Sequence, residues 1–499
     1  ALSSAASDVY KRQLVSMLER NADLKIVLLN ATPWMMDARS DTERMTRLSL
    51  LFDKKQIKNV YSTSIALLKR LERGSGWAWY DKCSEASQWS TENILLMMGR
   101  LATLGYLPDN SDLRAMMTRA VKWIDEETEK AYREYPKGDY TLYTYLRTLY
   151  PDVRQSTGAA AVSNAMVQRI VAVWKKGSIF DKGVYALILA NRGNKGVAGQ
   201  IIESLRQYAE TSPTKGMWWP SLDNMTLWSM DKVGTTAVLL EAFHAVDPGC
   251  KDIDMIRQWL ILQKEAMDWG TSVTTTEVIA SILSTSGRWV APAQGATVRV
   301  GESVVEPDKV EKITGYFRTD ISRLSPSGAT LSVNKPGDAP SWGAVYCQFT
   351  DVMADVKAAS CDAVSIEKKL LLVNSTPDGV TTADVSAPLA TGDKVRVLLT
   401  IKVDRDMDYV AIVDDRPACF EPVEQLPTPI FTEGIYFYRE NRDSATKIFI
   451  NHLPKGTYQI GYDMWVNNAG DYASGIATIQ SQYAPQFTAH SAGSIIKVD

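Results

Sequence analysis

The stretch Leu453-Pro-Lys-Gly-Thr-Tyr-Gln-Ile-Gly-Tyr-Asp-Met-Trp-Val466 decides the fold of the C-terminal part of this chain. Beyond its Pro-Lys-Gly turn, apolar residues alternate with polar ones, which is the period of a half-buried β-strand. The run Val395–Val403 alternates in the same way, and Pro377-Asp378-Gly379 marks another turn. This pattern predicts antiparallel β-sandwich domains after residue 290.

The front of the chain follows a helical period instead. Apolar residues recur at i, i+3, i+4 and i+7, which places them on one face of a helix. The clearest examples are Ile94, Met97, Met98 and Leu101, then Leu239, Ala242, Phe243 and Val246, then Ile279, Ile282 and Leu283. Residues 14–290 are therefore predicted to be helical.

A Gly/Trp-rich turn precedes several of these helices. The copies are Gly76-Trp77-Ala78-Trp79, Gly216-Met-Trp218-Trp219-Pro220, Trp269-Gly270 and, more weakly, Trp174 to Phe180. Ser or Thr residues that follow are predicted to accept hydrogen bonds from the first helical turn, namely Ser90-Thr91, Thr235-Thr236 and Thr274-Thr275-Thr276. Helical pairs that bury their apolar faces against neighbouring pairs predict a closed ring, an α/α toroid.

Composition and charge are typical of a globular protein and give no indication of nucleic-acid binding. At 499 residues, with 45% hydrophobic and 23% charged residues, the chain is long enough for several globular domains. A net charge of −3 provides no electrostatic basis for nucleic-acid binding. Residues 1–290 hold 12 of the 14 Trp, whereas residues 291–499 carry 19 Lys+Arg against 26 Asp+Glu. The two parts are therefore expected to be domains of different ancestry.

The N-terminus and the cysteines place few further limits on function. No transmembrane segment or signal peptide is visible, so any export signal is expected upstream. Residues 1–13, which include Asp8-Val-Tyr-Lys-Arg-Gln13, are interpreted as a non-native or disordered leader. The five cysteines form neither a disulfide framework nor a zinc pattern; they are Cys83, Cys250, Cys347, Cys361 and Cys419.

Several C-terminal motifs carry a family resemblance. Beside the strand quoted first, they are Val403-Asp-Arg-Asp-Met-Asp-Tyr409, Arg416-Pro-Ala-Cys-Phe-Glu-Pro422, Tyr483-Ala-Pro485 and Ala489-His-Ser-Ala-Gly493. Together they resemble the C-terminal signature of the bacterial alpha-2-macroglobulin family. Near the front, Asn30-Ala-Thr-Pro-Trp34, Arg44-Met-Thr-Arg47 and Leu51-Phe-Asp53 are similar to the thioester domain of that family, which is an α/α toroid.

The resemblance implies a C-terminal fragment in four parts. After the leader, residues 14–290 would form a thioester-type toroid and residues 291–350 a partial CUB-like β region. Residues 351–499 would form a macroglobulin-like, receptor-binding-type β-sandwich. The CUB-like part is carried by Gly315-Tyr316 and Ser341-Trp-Gly-Ala-Val-Tyr346.

The resemblance also implies a function. The whole protein would be an endopeptidase inhibitor, not an enzyme, that traps proteases by conformational collapse. Target proteases would act on an upstream bait region, and the missing N-terminal macroglobulin domains would contact this chain. The protein would be exported to the periplasm or outer membrane and held there only through an upstream anchor, and no cofactor is implied.

The thioester of that family needs a Cys-x-Glu-Gln box, which this chain lacks. Cys83-Ser-Glu-Ala86 and Cys419-Phe-Glu-Pro422 have no Gln, so no thioester residue is assigned. The box either lies upstream or is absent from this lineage.

No catalytic or metal-binding set emerges either. His244, His452 and His490 are too far apart for zinc spacing, and each is interpreted as structural or solvated. Asp252-Ile-Asp254 and Asp404-Arg-Asp406-Met-Asp408 lack the spacing of a calcium loop and are interpreted as solvated carboxylates, with weak calcium binding left open at the second.

The aromatic turns are the remaining candidate site. A toroid can hold a ligand against aromatic side chains, although the same residues can simply brace the ring. The candidates for a binding surface are Trp77, Trp79, Trp218, Trp219 and Trp269.

Two alternative functions stay open. The first is a surface interaction or adhesion module of the same family that has no trapping activity. The second is an α/α-toroid enzyme, such as a cyclase, prenyltransferase or polysaccharide lyase. Such enzymes need clustered Asp residues, a zinc triad or a Tyr/His/Arg set, for which the chain offers only Asp252-x-Asp254.

Overall fold

The computed structural model describes residues 54–105, 107–222, 231–266, 269–286, 296–306, 330–336, 352–377, 379–385 and 388–499. The chain divides into two compact units, residues 1–262 with 269–341 and residues 263–268 with 342–499. Several sequence predictions lie outside the described residues, namely the leader at 1–13, the motifs at 30–53, 315–316 and 341–346, and Cys347.

Ten α-helices lie within the described residues. They are α1 Lys54–Leu71, α2 Gln88–Thr103, α3 Ser111–Glu134, α4 Thr141–Thr148, α5 Thr157–Val173, α6 Ile179–Asn191, α7 Lys195–Gln207, α8 Lys232–Val246, α9 Asp252–Ala266 and α10 Ser272–Thr285. Short 3₁₀ helices span Trp174–Lys176, Pro220–Leu222 and Met353–Asp355.

The even-numbered helices form the inner layer of a closed ring. α2 contacts α4, α4 contacts α6, α6 contacts α8, α8 contacts α10, and α10 returns to α2. The odd-numbered helices pack against this layer: α3 on α2, α5 on α4, and α7 on both α6 and α8. This arrangement confirms the predicted α/α toroid.

Burial explains why the two layers differ. Every residue of α8 from Val233 to Leu240 is buried, because neighbouring helices cover it on several sides. α3 instead buries one face, which includes Leu113, Met116 and Ala120, and exposes most of its charged residues. An amphipathic helix suits the outside of the ring, and a helix that is apolar all round suits the inside.

The sequence pattern predicted α2 correctly, but the helix face that it predicted to be buried is not the face that is buried most deeply. The predicted face is only half-buried, whereas Leu95, Leu96 and Gly99 are buried. A Cβ at position 99 would lie 2.9 Å from the Cβ of Leu149, so glycine allows α2 to approach that residue closely. An inner helix has no single apolar face, and the i, i+3, i+4 pattern therefore describes it poorly.

The helix caps lie one turn earlier than predicted. Ser87, Asp231 and Thr271 accept hydrogen bonds from the backbone N–H groups three residues later, at the starts of α2, α8 and α10. The predicted capping residue Thr235 is instead buried inside α8. At α6, Ser178 and Asp181 form a reciprocal capping box.

Small β-sheets accompany the ring. β1 Glu72–Arg73 pairs with β2 Gly76–Trp77, and β3 Glu210–Ser212 pairs with β4 Gly216–Trp218, so both hairpins contain predicted Gly/Trp turns. Farther along the chain, β5 Thr297–Val300 lies between β6 Ser303–Val304 and β7 Leu331–Asn334.

The second unit contains two larger antiparallel sheets. Its strands are β8 Val364–Thr376, β9 Gly379–Asp384, β10 Lys394–Val403, β11 Met407–Asp415, β12 Phe420–Pro422, β13 Thr428–Thr432, β14 Ile435–Asn441, β15 Ala445–Leu453, β16 Gly456–Val466, β17 Gly470–Ala473, β18 Ala477–Ser481, β19 Thr488–His490 and β20 Ile495–Val498. One sheet has the order β12-β16-β10-β8-β9 and the other the order β13-β14-β15-β11-β18-β19, and β17 pairs with β20.

The two alternating runs predicted from the sequence are β10 and β16, and they pair with each other. Leu399 lies opposite Ile460, and Ile401 lies opposite Tyr458. The alternating residues of both strands point into one buried core, shared with β11, β14, β15 and β18 of the other sheet. The predicted β-sandwich is therefore confirmed in this unit.

Candidate functional site

The Trp residues of three Gly/Trp turns hydrogen-bond to the helix that precedes each turn. The indole N–H of Trp77 donates to the carbonyl of Leu68 at 3.1 Å, that of Trp219 to Leu205 at 2.9 Å, and that of Trp269 to Leu260 at 2.9 Å. Each acceptor belongs to the odd-numbered helix that precedes the turn, and each indole is at most 2% exposed. These three indoles brace the ring and present no surface to a ligand.

The other two predicted aromatics are more accessible. Trp79 is 60% exposed, and its ring lies 4.6 Å from that of Trp89, tilted by 47°. Trp218 is half-buried, with Lys215 Nζ 6.0 Å from its ring centre. Trp89, in the first turn of α2, is a third accessible aromatic at 57% exposed, and the Gly/Trp pattern does not single it out. For Trp79 and for Trp218, each at its own turn, ligand binding remains a prediction from the sequence.

A buried polar cluster lies where the ring closes. Arg100 of α2 places Nη2 3.6 Å from Oε1 of Glu241 on α8, and Nη1 3.9 Å from Oε1 of Glu277 on α10. Ser281 of α10 donates to Glu241 at 2.5 Å, and the hydroxyl of Tyr145 on α4 donates to Glu241 at 3.2 Å. The cluster therefore ties four of the five inner helices together.

The electrostatics of this cluster are unbalanced. Two carboxylates share one guanidinium, and the Arg100 and Glu241 side chains are each 11% exposed. Burial raises the pKa of Glu277, an effect that Arg100 opposes and that Glu241 and Asp231 strengthen. Burial also raises the pKa of Tyr145, with a further contribution from Glu241. The buried environment thus favours the protonated form of Glu277.

A second buried network holds α3 against α4. The Asp125 carboxylate accepts from the hydroxyl of Tyr143 at 2.7 Å and lies 3.4 Å from Nε of Arg147. Gln155 donates to Tyr143 at 2.8 Å, and Arg147 donates to the carbonyl of Val153 at 2.6 Å. These contacts anchor the loop that follows α4, and none of them forms a nucleophile–base pair.

The histidines lie far apart in the fold. His244 is on α8, where burial lowers its pKa, with Arg257 adding to the effect. His452 contacts Asp408 at 2.7 Å, and His490 lies 3.1 Å from the carbonyl of Ser491. In the part of the chain that the structure describes, no three His, Cys, Asp or Glu side chains are placed to hold a metal ion.

The predicted solvated carboxylates have cationic partners. Asp252 pairs with Arg206 at 2.6 Å and Asp254 with Arg257 at 2.8 Å, because both acids lie in the first turn of α9 next to these side chains. Asp404 likewise lies 2.9 Å from Nε of Arg405. These three carboxylates are therefore stabilised by ion pairs as well as by solvent.

The cysteines of the described segments are free thiols. They are Cys83, Cys250, Cys361 and Cys419, of which Cys250 and Cys419 are buried. Burial raises the pKa of both buried thiols, so neither has the environment of a reactive thiolate.

Most of the β-sandwich lies within a stretch of sequence that matches a known domain family. Residues 364–486 match the family model of the Bacterial Alpha-2-macroglobulin MG10 domain, and this range runs from the first residue of β8 to the loop after β18. The resemblance to bacterial alpha-2-macroglobulin is confirmed for this domain. The C-terminal motifs that carry the resemblance lie largely within these residues.

Solved structures of bacterial alpha-2-macroglobulins are also similar to this chain. Trypsin-activated alpha-2-macroglobulin from Escherichia coli shares 13% identity at a TM-score of 0.42, over 97% of this chain and 31% of that one. Native Escherichia coli alpha-2-macroglobulin from domain MG7 to the C-terminus shares 14% at a TM-score of 0.32, over 98% of this chain and 73% of that one. Salmonella alpha-2-macroglobulin reacted with methylamine shares 16% sequence identity at a TM-score of 0.32. That match covers 98% of this chain and 30% of the Salmonella chain.

Among curated proteins, Circularly permutated Ras protein 2 of Dictyostelium discoideum is 28% identical over 98 residues. That match covers 19% of this chain and 2% of the Dictyostelium protein. Within the described residues, no helix has both the length and the apolarity to cross a membrane.

Proposed function

We propose that this chain is the C-terminal portion of a bacterial alpha-2-macroglobulin-like endopeptidase inhibitor that traps proteases by conformational collapse. The observation that carries the proposal is the succession, in one chain, of a closed α/α toroid and a sandwich that matches the bMG10 family. The helical ring is of the kind that the resemblance assigns to the thioester domain.

The mechanism needs no catalytic residue in this chain. Cleavage of an upstream bait region shifts a two-state equilibrium, and the toroid relocates as a unit while the protease is enclosed. Such relocation requires a ring that does not open. The Arg100–Glu241 and Arg100–Glu277 contacts close the ring, which supports the proposal.

The further parts of the proposal follow from the family. The partners are target proteases, which act on the bait region, and N-terminal macroglobulin domains of the same protein. The protein is exported to the periplasm or cell surface, and any membrane contact runs through an upstream anchor. It uses no cofactor and is not an enzyme.

A second candidate function is a surface interaction module of the same family without trapping. The exposed pair of tilted rings, Trp79 and Trp89, favours it, because exposed aromatic clusters often mark binding surfaces. Recovery of the coding sequence upstream of this chain separates the two candidates.

The trapping proposal expects further β domains and a bait-like linker upstream, with an export or lipoprotein signal before them. A Cys-x-Glu-Gln box just before residue 14 would add covalent capture. A native start codon near residue 14 would overturn trapping in favour of the interaction module.

A further inference from the structure

The interior of the β-sandwich contains an amine and a carboxyl group in contact. Lys368 lies on β8 of the five-stranded sheet and Asp414 on β11 of the six-stranded sheet, and Nζ is 2.6 Å from Oδ1. The two side chains are only 5% and 3% exposed. A nucleophilic nitrogen therefore touches an acyl group between the two sheets, away from solvent.

Neighbouring groups fix both partners. Nζ of Lys368 donates hydrogen bonds to the carbonyls of Asp415 and Ser474, each at 3.1 Å. The hydroxyl of Tyr462, which is itself buried, donates to Oδ2 of Asp414. Among the described residues, Oδ1 of Asp414 has Nζ of Lys368 as its close neighbour and accepts no hydrogen bond from another donor. The amine is thus held against the carboxyl group by bonds to other acceptors.

The surroundings of Asp414 favour its protonated form. Burial raises the pKa of Asp414, and the nearby Lys368 only partly offsets this effect. Desolvation of a buried ion pair is costly, whereas transfer of a proton from the ammonium to the carboxylate leaves two neutral groups. A neutral amine next to a protonated carboxyl group is the reactive combination for amide formation.

We propose that Lys368 and Asp414 join through an intramolecular amide bond that links the two sheets of the sandwich. The Nζ lone pair attacks Cγ of protonated Asp414 and forms the C–N bond. The C–O bond to one carboxyl oxygen then breaks, and that oxygen leaves as water with a proton from the nitrogen. Overall, one amine and one carboxylic acid react to give one amide and one water molecule, and no oxidant or reductant is needed.

Two neighbours assist this reaction by position. The Tyr462 hydroxyl stabilises the oxygen on which negative charge develops, as a hydrogen-bond donor fixed in advance. The Ser474 and Asp415 carbonyls hold the nitrogen beside the carboxyl group, which lowers the entropic barrier to attack. The resulting cross-link closes a loop between β8 and β11 and restricts the unfolded chain.

The test is the intact mass of the purified, denatured protein. The proposal expects a mass below the sequence mass by one water molecule. Peptide mapping should then show no cleavage after Lys368 and one branched peptide that contains both Lys368 and Asp414. A folded protein with the full sequence mass would overturn the proposal.

Two variants complete the test. Lys368→Arg keeps the positive charge and should show the full sequence mass, with folding checked by circular dichroism. Lys394→Arg alters a comparable but more exposed pair, in which Nζ lies 3.0 Å from Asp463, and should keep the mass deficit. A deficit that persists in Lys368→Arg would place the lost water elsewhere and would also contradict the proposal.

Discussion

Nη1 of Arg100 on the first inner helix lies 3.9 Å from Oε1 of Glu277 on the last, so one ion pair joins the two ends of the helical ring. The same guanidinium contacts Glu241, which belongs to a third inner helix. A ring built from helical pairs has no covalent closure, and its ends are held by side chains alone. This polar cluster therefore links the first and last inner helices where the ring closes.

Arg100→Met should destabilise the helical unit strongly. The change leaves Glu241 and Glu277 without their cationic partner, and removal of one member of a buried pair costs about 3–5 kcal/mol. Thermal unfolding followed by helical circular dichroism measures this effect. The matched control is Arg119→Met, which removes an exposed pair with Glu72 and should cost about 1 kcal/mol or less. Equal losses in the two variants would contradict the closing role of Arg100.

The stability of the ring should depend on the charge of Glu277. Burial raises its folded-state pKa above the usual 4.5, so the folded protein binds this proton more tightly than the unfolded protein does. The contribution to stability is thus present below the usual Glu range and is lost as the pH rises through the raised pKa. Glu277→Gln cannot ionise at this position and should therefore lose this part of the pH dependence.

Urea unfolding of both proteins at neutral and at mildly acidic pH provides that measurement. The unfolding free energy of the wild type should rise relative to that of Glu277→Gln as the pH falls. A difference that stays constant across the range would exclude Glu277 as the titrating group.

Trp219→Phe isolates the hydrogen bond of one Gly/Trp turn. The indole N–H donates to the carbonyl of Leu205, and its loss should cost about 1 kcal/mol, or more because the carbonyl is left buried. Trp219→Ala removes the whole buried ring and should cost about 3–5 kcal/mol. Trp79→Ala, at an exposed position of the same motif, should change the unfolding free energy by about 0.5 kcal/mol. A cost at Trp79 as large as that at Trp219 would contradict the bracing role.

Gly216 should tolerate no side chain. Its φ is +79°, and an added Cβ would lie 2.2 Å from the carbonyl oxygen of Met255 in α9. Gly193 has a similar φ of +82° but no atom within 4 Å of that position. Gly193→Ala should therefore lower the free energy of unfolding by about 1 kcal/mol through backbone strain alone. Gly216→Ala should also displace α9 and should lower the free energy of unfolding markedly more. Similar melting temperatures for both variants would show that the contact with Met255 is not rigid.

Sequence periodicity predicted the architecture well where each element has one buried face. The run from Val395 to Val403 is β10, since a strand with one buried side alternates strictly. The same reasoning misplaced the face of α2, because an inner helix is covered on several sides. The cap at Asp231 was missed in favour of Thr235, since hydroxyl residues inside a helix resemble caps in sequence.

The polar clusters could not be predicted from the sequence. Arg100, Glu241 and Glu277 meet only because the ring closes, and no spacing in the sequence records that closure. Lys368 and Asp414 likewise meet because two sheets face each other. The Trp turns were found, but whether an indole is buried, as Trp77 is, or exposed, as Trp79 is, depends on the preceding helix.

The most direct test of the proposed function is a trapping assay on the protein that includes its upstream sequence. After incubation with trypsin, the activity of trypsin should be measured on a small chromogenic peptide and on a large protein substrate. The account predicts that cleavage of the small peptide persists while cleavage of the large substrate falls, and that the 499-residue chain alone produces neither effect. Unchanged cleavage of both substrates, or an equal loss of both, would contradict protease trapping.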